Sequence, residues 1–143
     1  MLLGINHLTL TVHDLRRSLQ FYSELLCFTP LVRWRQGAYL QNQELWLCLN
    51  VGRPQPAQDY SHVALTVEPS RFCELQQRLT AADVCFWQEN SSEGNSLYFL
   101  DPDGHKLEAH VGDLGSRLAA IAQKPYEHLH WHPQGQAVIK DYD

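Results

Sequence analysis

No apolar run in this 143-residue chain approaches the roughly 18–20 residues that a membrane span needs. The opening MLLGINHL lacks the basic and apolar regions of a signal peptide, so the expected location is the cytoplasm, with no membrane partner. Positive charge is also scarce. Eleven Lys and Arg stand against sixteen Asp and Glu, a net charge of −5, which argues against nucleic acid as a partner. The four cysteines, Cys27, Cys48, Cys73 and Cys85, form no C-x-x-C pair. Three of them sit in apolar segments and are expected to be reduced core or site thiols rather than disulfides. Neither a P-loop nor a dinucleotide fingerprint is present, and no Ser-His-Asp spacing supports a nucleophilic triad.

What remains is an ordinary folded composition, 44% hydrophobic and 19% charged, in a length that suits one compact domain or two small modules sharing a core. The clearest internal signal is a repeat. INHLTLTV at 5–12 returns as YSHVALTV at 60–67, with a His, a Leu, a Thr and a Val at matching offsets. In the first copy Ile5, His7, Thr9 and Thr11 alternate with Leu8, Leu10 and Val12, the period of two expected for a strand. HDLRRSLQFYSELL follows, with Leu15, Leu19, Tyr22 and Leu26 at helical spacing behind Asp14 as N-cap. Strands are expected near 28–35, 37–41 and 44–50, and VGRPQPAQD at 51–59 reads as a linker.

The second half repeats that order: a strand, a helix with Pro69 in its first turn, then strands at VCFWQEN, SLYFLDPD and HKLEAHV. DPDG at 101–104 is a turn signal, since Pro fixes one dihedral and Gly accepts positive φ. The expected architecture is α+β, two βαβββ repeats at about 5–50 and 60–111 within a single domain spanning 1–143. A helix near 114–123 and a short tail complete it. Such a duplication suggests a pseudo-twofold axis and a cleft in which equivalent residues converge.

His7 and His62 hold the same repeat position. A lone strand histidine is usually a packed or surface residue, but two at matched positions point to ligands of one ion. Glu108 alternates with Lys106 and His110, and alone it would read as part of a solvated face. Beside two histidines it completes a two-His-one-carboxylate set, which binds a divalent ion and leaves positions open for substrate. Such a set also suits zinc or iron. Cys48 falls near the matching place in the first repeat and is read as a wall of the site. NSSEGNS at 90–96 is either a plain hairpin connection or an oxygen-rich cradle in which Gly94 permits a sharp turn. His128, His130 and His132 alternate in EHLHWHP and read as a surface tail.

NHLTLTV, GAYL, LWLCL, DYSH, SEGNSLYFLDPDGHKLEAHVG and RLAA…KPY together resemble the fosfomycin-resistance glutathione transferases of the FosA type, within the vicinal oxygen chelate superfamily. The likeness runs to about Tyr126 and is most specific from Ser92 to Gly112. It implies paired βαβββ modules and a homodimer whose metal sites draw on both subunits. It further implies Mn²⁺ held by His7, His62 and Glu108, fosfomycin bound to that ion, and glutathione opening the epoxide.

By the same resemblance Thr9, Ser92, Ser96, Tyr98 and Arg117 match phosphonate contacts, and Trp46 and Cys48 match pocket walls. Tyr39 matches a residue near the incoming thiol, with Trp34 and Gln36 along a glutathione channel. Asn90, Ser92, Gly94 and Ser96 match a K⁺ loop. One departure stands out: the family usually reads Trp-Lys where this chain has Trp87-Gln88, and Ser91 stands where a basic residue is common. The alternatives are a relative on the same scaffold that uses water or another thiol, and a non-catalytic drug-binding protein, against which the intact metal triad counts.

Overall fold

The computed structural model describes residues 1–142, and the side chains of residues 1–140. In the first repeat β1 (Leu8–Val12) leads to α1 (Leu15–Gln20), and β2 (Thr29–Trp34), β3 (Gly37–Asn42) and β4 (Leu45–Val51) follow. The second repeat contains β5 (Val63–Thr66), α2 (Phe72–Ala81), β6 (Phe86–Gln88), β7 (Ser96–Leu100) and β8 (Lys106–His110). α3 (Leu114–Gln123) and α4 (Pro133–Tyr142) close the chain. The strands form two four-stranded sheets of equivalent order, β1-β4-β3-β2 and β5-β8-β7-β6. In each sheet the first strand pairs in parallel with the last, and the other pairs are antiparallel.

Local chemistry accounts for the helix starts. The Asp14 carboxylate accepts the backbone N–H of Arg17 at 3.1 Å, as expected for an N-cap. Beyond Gln20 the helix widens into a π-type turn over Phe21–Leu25, and Cys27 then takes a positive φ of 64° to end it. α3 opens on a capping box, with Asp113 accepting from the Ser116 N–H and Ser116 Oγ accepting from the Asp113 N–H.

One hydrophobic core joins both repeats. Val12, Leu40, Leu47 and Leu49 enter it from the first sheet, Leu97, Phe99 and Leu107 from the second, and Tyr22, Phe28 and Leu79 from or beside the helices. Each such side chain contributes about 1.5–3 kcal/mol on burial. The period of two then sends the alternate residues to the opposite faces. Thr9 pairs with Cys48 as Ala64 pairs with Glu108, and Cys48 faces Tyr39 as Glu108 faces Tyr98, so the structural equivalence of Cys48 and Glu108 is a matter of register.

Several boundaries differ from the sequence reading. The first strand begins at Leu8, and Met1–His7 lie exposed; the strands expected at 84–90 and 105–111 contract to 86–88 and 106–110. Pro69 occupies a separate single turn before α2. The short tail contains α4. Cys27, Cys73 and Cys85 are exposed free thiols, not core residues: Cys27 and Cys85 lie in the connections before β2 and β6, and Cys73 is on the outer side of α2.

Candidate metal centre

His62 stands one residue before β5, and Glu108 sits mid-way along β8, hydrogen-bonded to β5 in the same sheet. The His62 Nδ1 lies 2.7 Å from the carbonyl oxygen of Tyr60. A carbonyl only accepts, so Nδ1 carries the hydrogen and the neutral ring keeps its lone pair on Nε2. That lone pair points at Glu108 Oε1 from 3.0 Å. Two acceptors this close require a shared cation, either a proton or a metal ion. A neutral imidazole nitrogen and a carboxylate oxygen are a donor pair that a divalent ion would take.

The other carboxylate oxygen, Oε2, accepts from Ser96 Oγ at 2.8 Å. Glu108 and Ser96 are only 6% and 7% exposed, so this is a buried, hydrogen-bonded carboxylate rather than part of a solvated strand face.

His7 is prepared in the same way, its Nδ1 2.7 Å from Asn6 Oδ1 and its ring on Trp46 at 4.5 Å between centroids. It does not join His62 and Glu108. Among the described residues no three His, Cys, Asp or Glu side chains gather as a metal site. The expected convergence of the two histidines within one chain is therefore corrected: the sheets share a core through their apolar faces, and their ligand-bearing faces do not meet.

The first sheet supplies an aromatic wall. Tyr39 sits edge-on between Trp34 and Trp46, with centroids 4.9 and 5.1 Å away, and Thr9 and Cys48 are its neighbours in register. The Trp46 indole N–H is buried without a partner among the described residues. Gln36 lies exposed in the β2–β3 turn, where its carbonyl accepts from the Val51 N–H.

Beside the second sheet Tyr60, His62, Trp87 and Tyr98 pack edge to face around the His62–Glu108 contact. Gln88 Nε2 donates to the Tyr60 hydroxyl at 3.3 Å, which ties Gln88 to the rim. In the 90–96 loop, Asn90 Oδ1 accepts from the N–H and Oγ of Ser92, and Asn90 Nδ2 donates to the Gly94 carbonyl at 2.7 Å. Asn90, Ser92 and Gly94 thus share one closed turn, whereas the Ser96 hydroxyl is directed beneath Glu108.

Arg117, near the start of α3, reaches Glu93 at 3.2 Å and Ser92 Oγ at 3.3 Å. Partial burial works most strongly against its charge, but the hydrogen bond it donates to Glu93, the Glu93 charge and the interaction with Tyr126 together outweigh it and hold the guanidinium above its ordinary pKa. A cavity of about 180 Å³ lies elsewhere, beside α2 and the end of the π-type turn, and is lined by none of these residues. His128, His130 and His132 are exposed, in keeping with a surface reading.

The family model for the glyoxalase/bleomycin resistance protein/dioxygenase superfamily matches residues 4–109. The chain belongs to this superfamily. Within the superfamily it is 52% identical over 131 residues to the glutathione transferase FosA of Serratia marcescens, covering 88% of this chain and 93% of that protein. It is 37% identical to the metallothiol transferase FosB of Shouchella clausii, covering 83% and 87%. The fosfomycin resistance protein FosX of Listeria monocytogenes, crystallised with Mn(II) and sulfate, superposes with a TM-score of 0.78 at 28% identity over 84% of this chain and 98% of that one. The two four-stranded sheets with their helices are the superfamily's fold, as the repeat implied. No helix among the described residues is long and apolar enough to cross a membrane.

Sequence reasoning gave no positioning role to Asn6, Tyr60, Glu93 and His110, which contact the predicted residues, and considered Glu93 only as a carboxylate that could act as a base. Only His110 left a signal, since the alternation in HKLEAH sets it on the face of Glu108.

Proposed function

We propose that this chain is a metal-dependent transferase that opens the epoxide of fosfomycin by adding glutathione, with Mn²⁺ held by His7, His62 and Glu108. The opposed lone pairs of His62 and Glu108 carry the reading, in a chain 52% identical to a glutathione transferase FosA. When bound, the ion supplies Lewis-acid polarisation of the epoxide oxygen. Arg117, braced by Glu93, presents a permanent charge to the phosphonate, and Thr9, Ser92 and Tyr98 offer hydroxyls, while the Ser96 hydroxyl hydrogen is committed to Glu108. Trp46 and Cys48 close the pocket. The Tyr39 ring is held between two tryptophans, which fixes its hydroxyl to stabilise the glutathione thiolate entering past Trp34 and Gln36. K⁺ beside Asn90, Ser92, Gly94 and Ser96 would add charge near the same anion.

The reading includes a homodimer in which His7 reaches the His62 and Glu108 of a second copy. Met1, Leu2, Leu3 and Ile5 are 89–117% exposed, an apolar arm that a partner would cover. Mixing inactive His7→Ala and Glu108→Ala proteins, unfolding and refolding them together, is expected to restore about a quarter of wild-type turnover, because one heterodimer site is then intact. No recovery rejects ligand sharing between chains.

The central test incubates the protein with fosfomycin and Mn²⁺, with and without glutathione, and identifies the product by mass. A glutathione adduct supports the proposal; unchanged drug overturns it. Gln88, bound to Tyr60 where the family has a lysine, favours one second reading, hydrolysis or another thiol on the same scaffold, for which a diol or a different adduct is the signature. A missing charge-assisted contact costs about 1.5–3 kcal/mol, or one to two decades in rate. Gln88→Lys is accordingly expected to raise kcat/KM with glutathione at least tenfold, and an unchanged value removes this explanation.

A further inference from the structure

We infer that His110 is a positioning residue that orients Glu108 for metal binding through Ser96. The inference rests on the reading of Glu108 as a metal ligand. Ser96 Oγ lies 2.8 Å from Glu108 Oε2 and 2.6 Å from His110 Nδ1. A serine hydroxyl has one hydrogen, and the ionised carboxylate can only accept, so that hydrogen goes to Glu108. His110 Nδ1 must then donate to Ser96. The chain of donors has one direction, His110 to Ser96 to Glu108, and it engages Oε2 so that Oε1 is left facing His62.

The imidazole has little freedom to leave this arrangement. A Cβ on Gly94, where φ is +75°, would lie 3.1 Å from His110 Cε1 and 2.4 Å from the Val111 carbonyl. A Cβ on Gly112, where φ is +132°, would lie 3.1 Å from His110 Nε2. Two positive-φ glycines therefore let the backbone close around the ring, and Glu93 Oε2 stands 3.9 Å from Nε2 on the loop side. The ring that bonds Ser96, with Nδ1 also 3.5 Å from Glu108 Oε2, thus packs against the 90–96 loop.

The test separates the two ring nitrogens. Asparagine places an amide N–H near the position of Nδ1, whereas glutamine places it near Nε2 and out of reach of Ser96. Mn²⁺ affinity, read from the electron paramagnetic resonance of the free ion with the full chain, is expected to fall 10–100-fold in His110→Gln and to stay within about threefold of wild type in His110→Asn. Because the residues act in series, the Ser96→Ala/His110→Gln double variant is expected to bind no more weakly than Ser96→Ala. Wild-type affinity in His110→Gln, equal losses in both His110 variants, or multiplying effects in the double variant would overturn the inference. If Glu108→Gln weakens Mn²⁺ binding and His110→Gln does not, the positioning role alone fails. If the wild-type chain binds no Mn²⁺, the metal reading fails and the inference with it.

Discussion

Glu108→Gln is expected to lower fosfomycin turnover about 10³-fold, equivalent to about 4 kcal/mol of lost transition-state stabilisation, while leaving the fold intact. The amide has the volume of the carboxylate and keeps one oxygen to accept from Ser96. Its NH₂ group then faces the His62 Nε2 lone pair, where Glu108 Oε1 stands at 3.0 Å, and can donate to it. A pair that needed a cation becomes a pair satisfied without one. The metal position is lost, and no buried group is left unpaired. Turnover by product mass and Mn²⁺ binding should both collapse, with a thermal midpoint within about 3 °C of wild type. Activity within tenfold of wild type would rule out Glu108 as a ligand.

The largest effect on stability is expected at Asp101, far from the proposed chemistry. Its side chain is 4% exposed, accepts the Tyr22 hydroxyl at 2.7 Å and the backbone N–H groups of Asp103 and His105 at 2.9 Å each. Burial, and then the charge of Asp101, push the Tyr22 phenol far above its ordinary pKa, so it remains a neutral donor. Asp101→Ala strands a buried hydroxyl and two part-buried N–H groups at once, an expected loss of about 3–5 kcal/mol and about 10–15 °C in thermal midpoint. Tyr22→Phe removes only the donor, and Asp101 keeps its two backbone partners, so about 1–2 kcal/mol is expected. Urea unfolding of the two variants checks the ranking. Equal losses would mean that the link to Tyr22, not the turn N–H groups, sets the cost.

DPDG was legible as a turn because proline and glycine act locally, and the turn does join β7 to β8. Its second role was not legible. Asp103 also accepts from the His13 N–H at 3.1 Å and from Arg17 Nη2 at 3.2 Å, partners about 90 and 86 residues earlier in the chain. A polar contact between distant segments has no period and leaves no trace in spacing. The same holds for His110, whose place on the Glu108 face could be read from alternation, but whose bond to Ser96 depends on the β7–β8 register.

The sequence by itself determined the duplicated βαβββ order, the sidedness of each strand and the candidate ligands His7, His62 and Glu108, because backbone periodicity and repeat position are properties of neighbouring residues. Only the tertiary structure decided which of those ligands meet. Packing the two sheets through one apolar core joined His62 to Glu108 within a sheet and left His7 on a separate face, since burying the apolar sides of both repeats turns their polar sides apart.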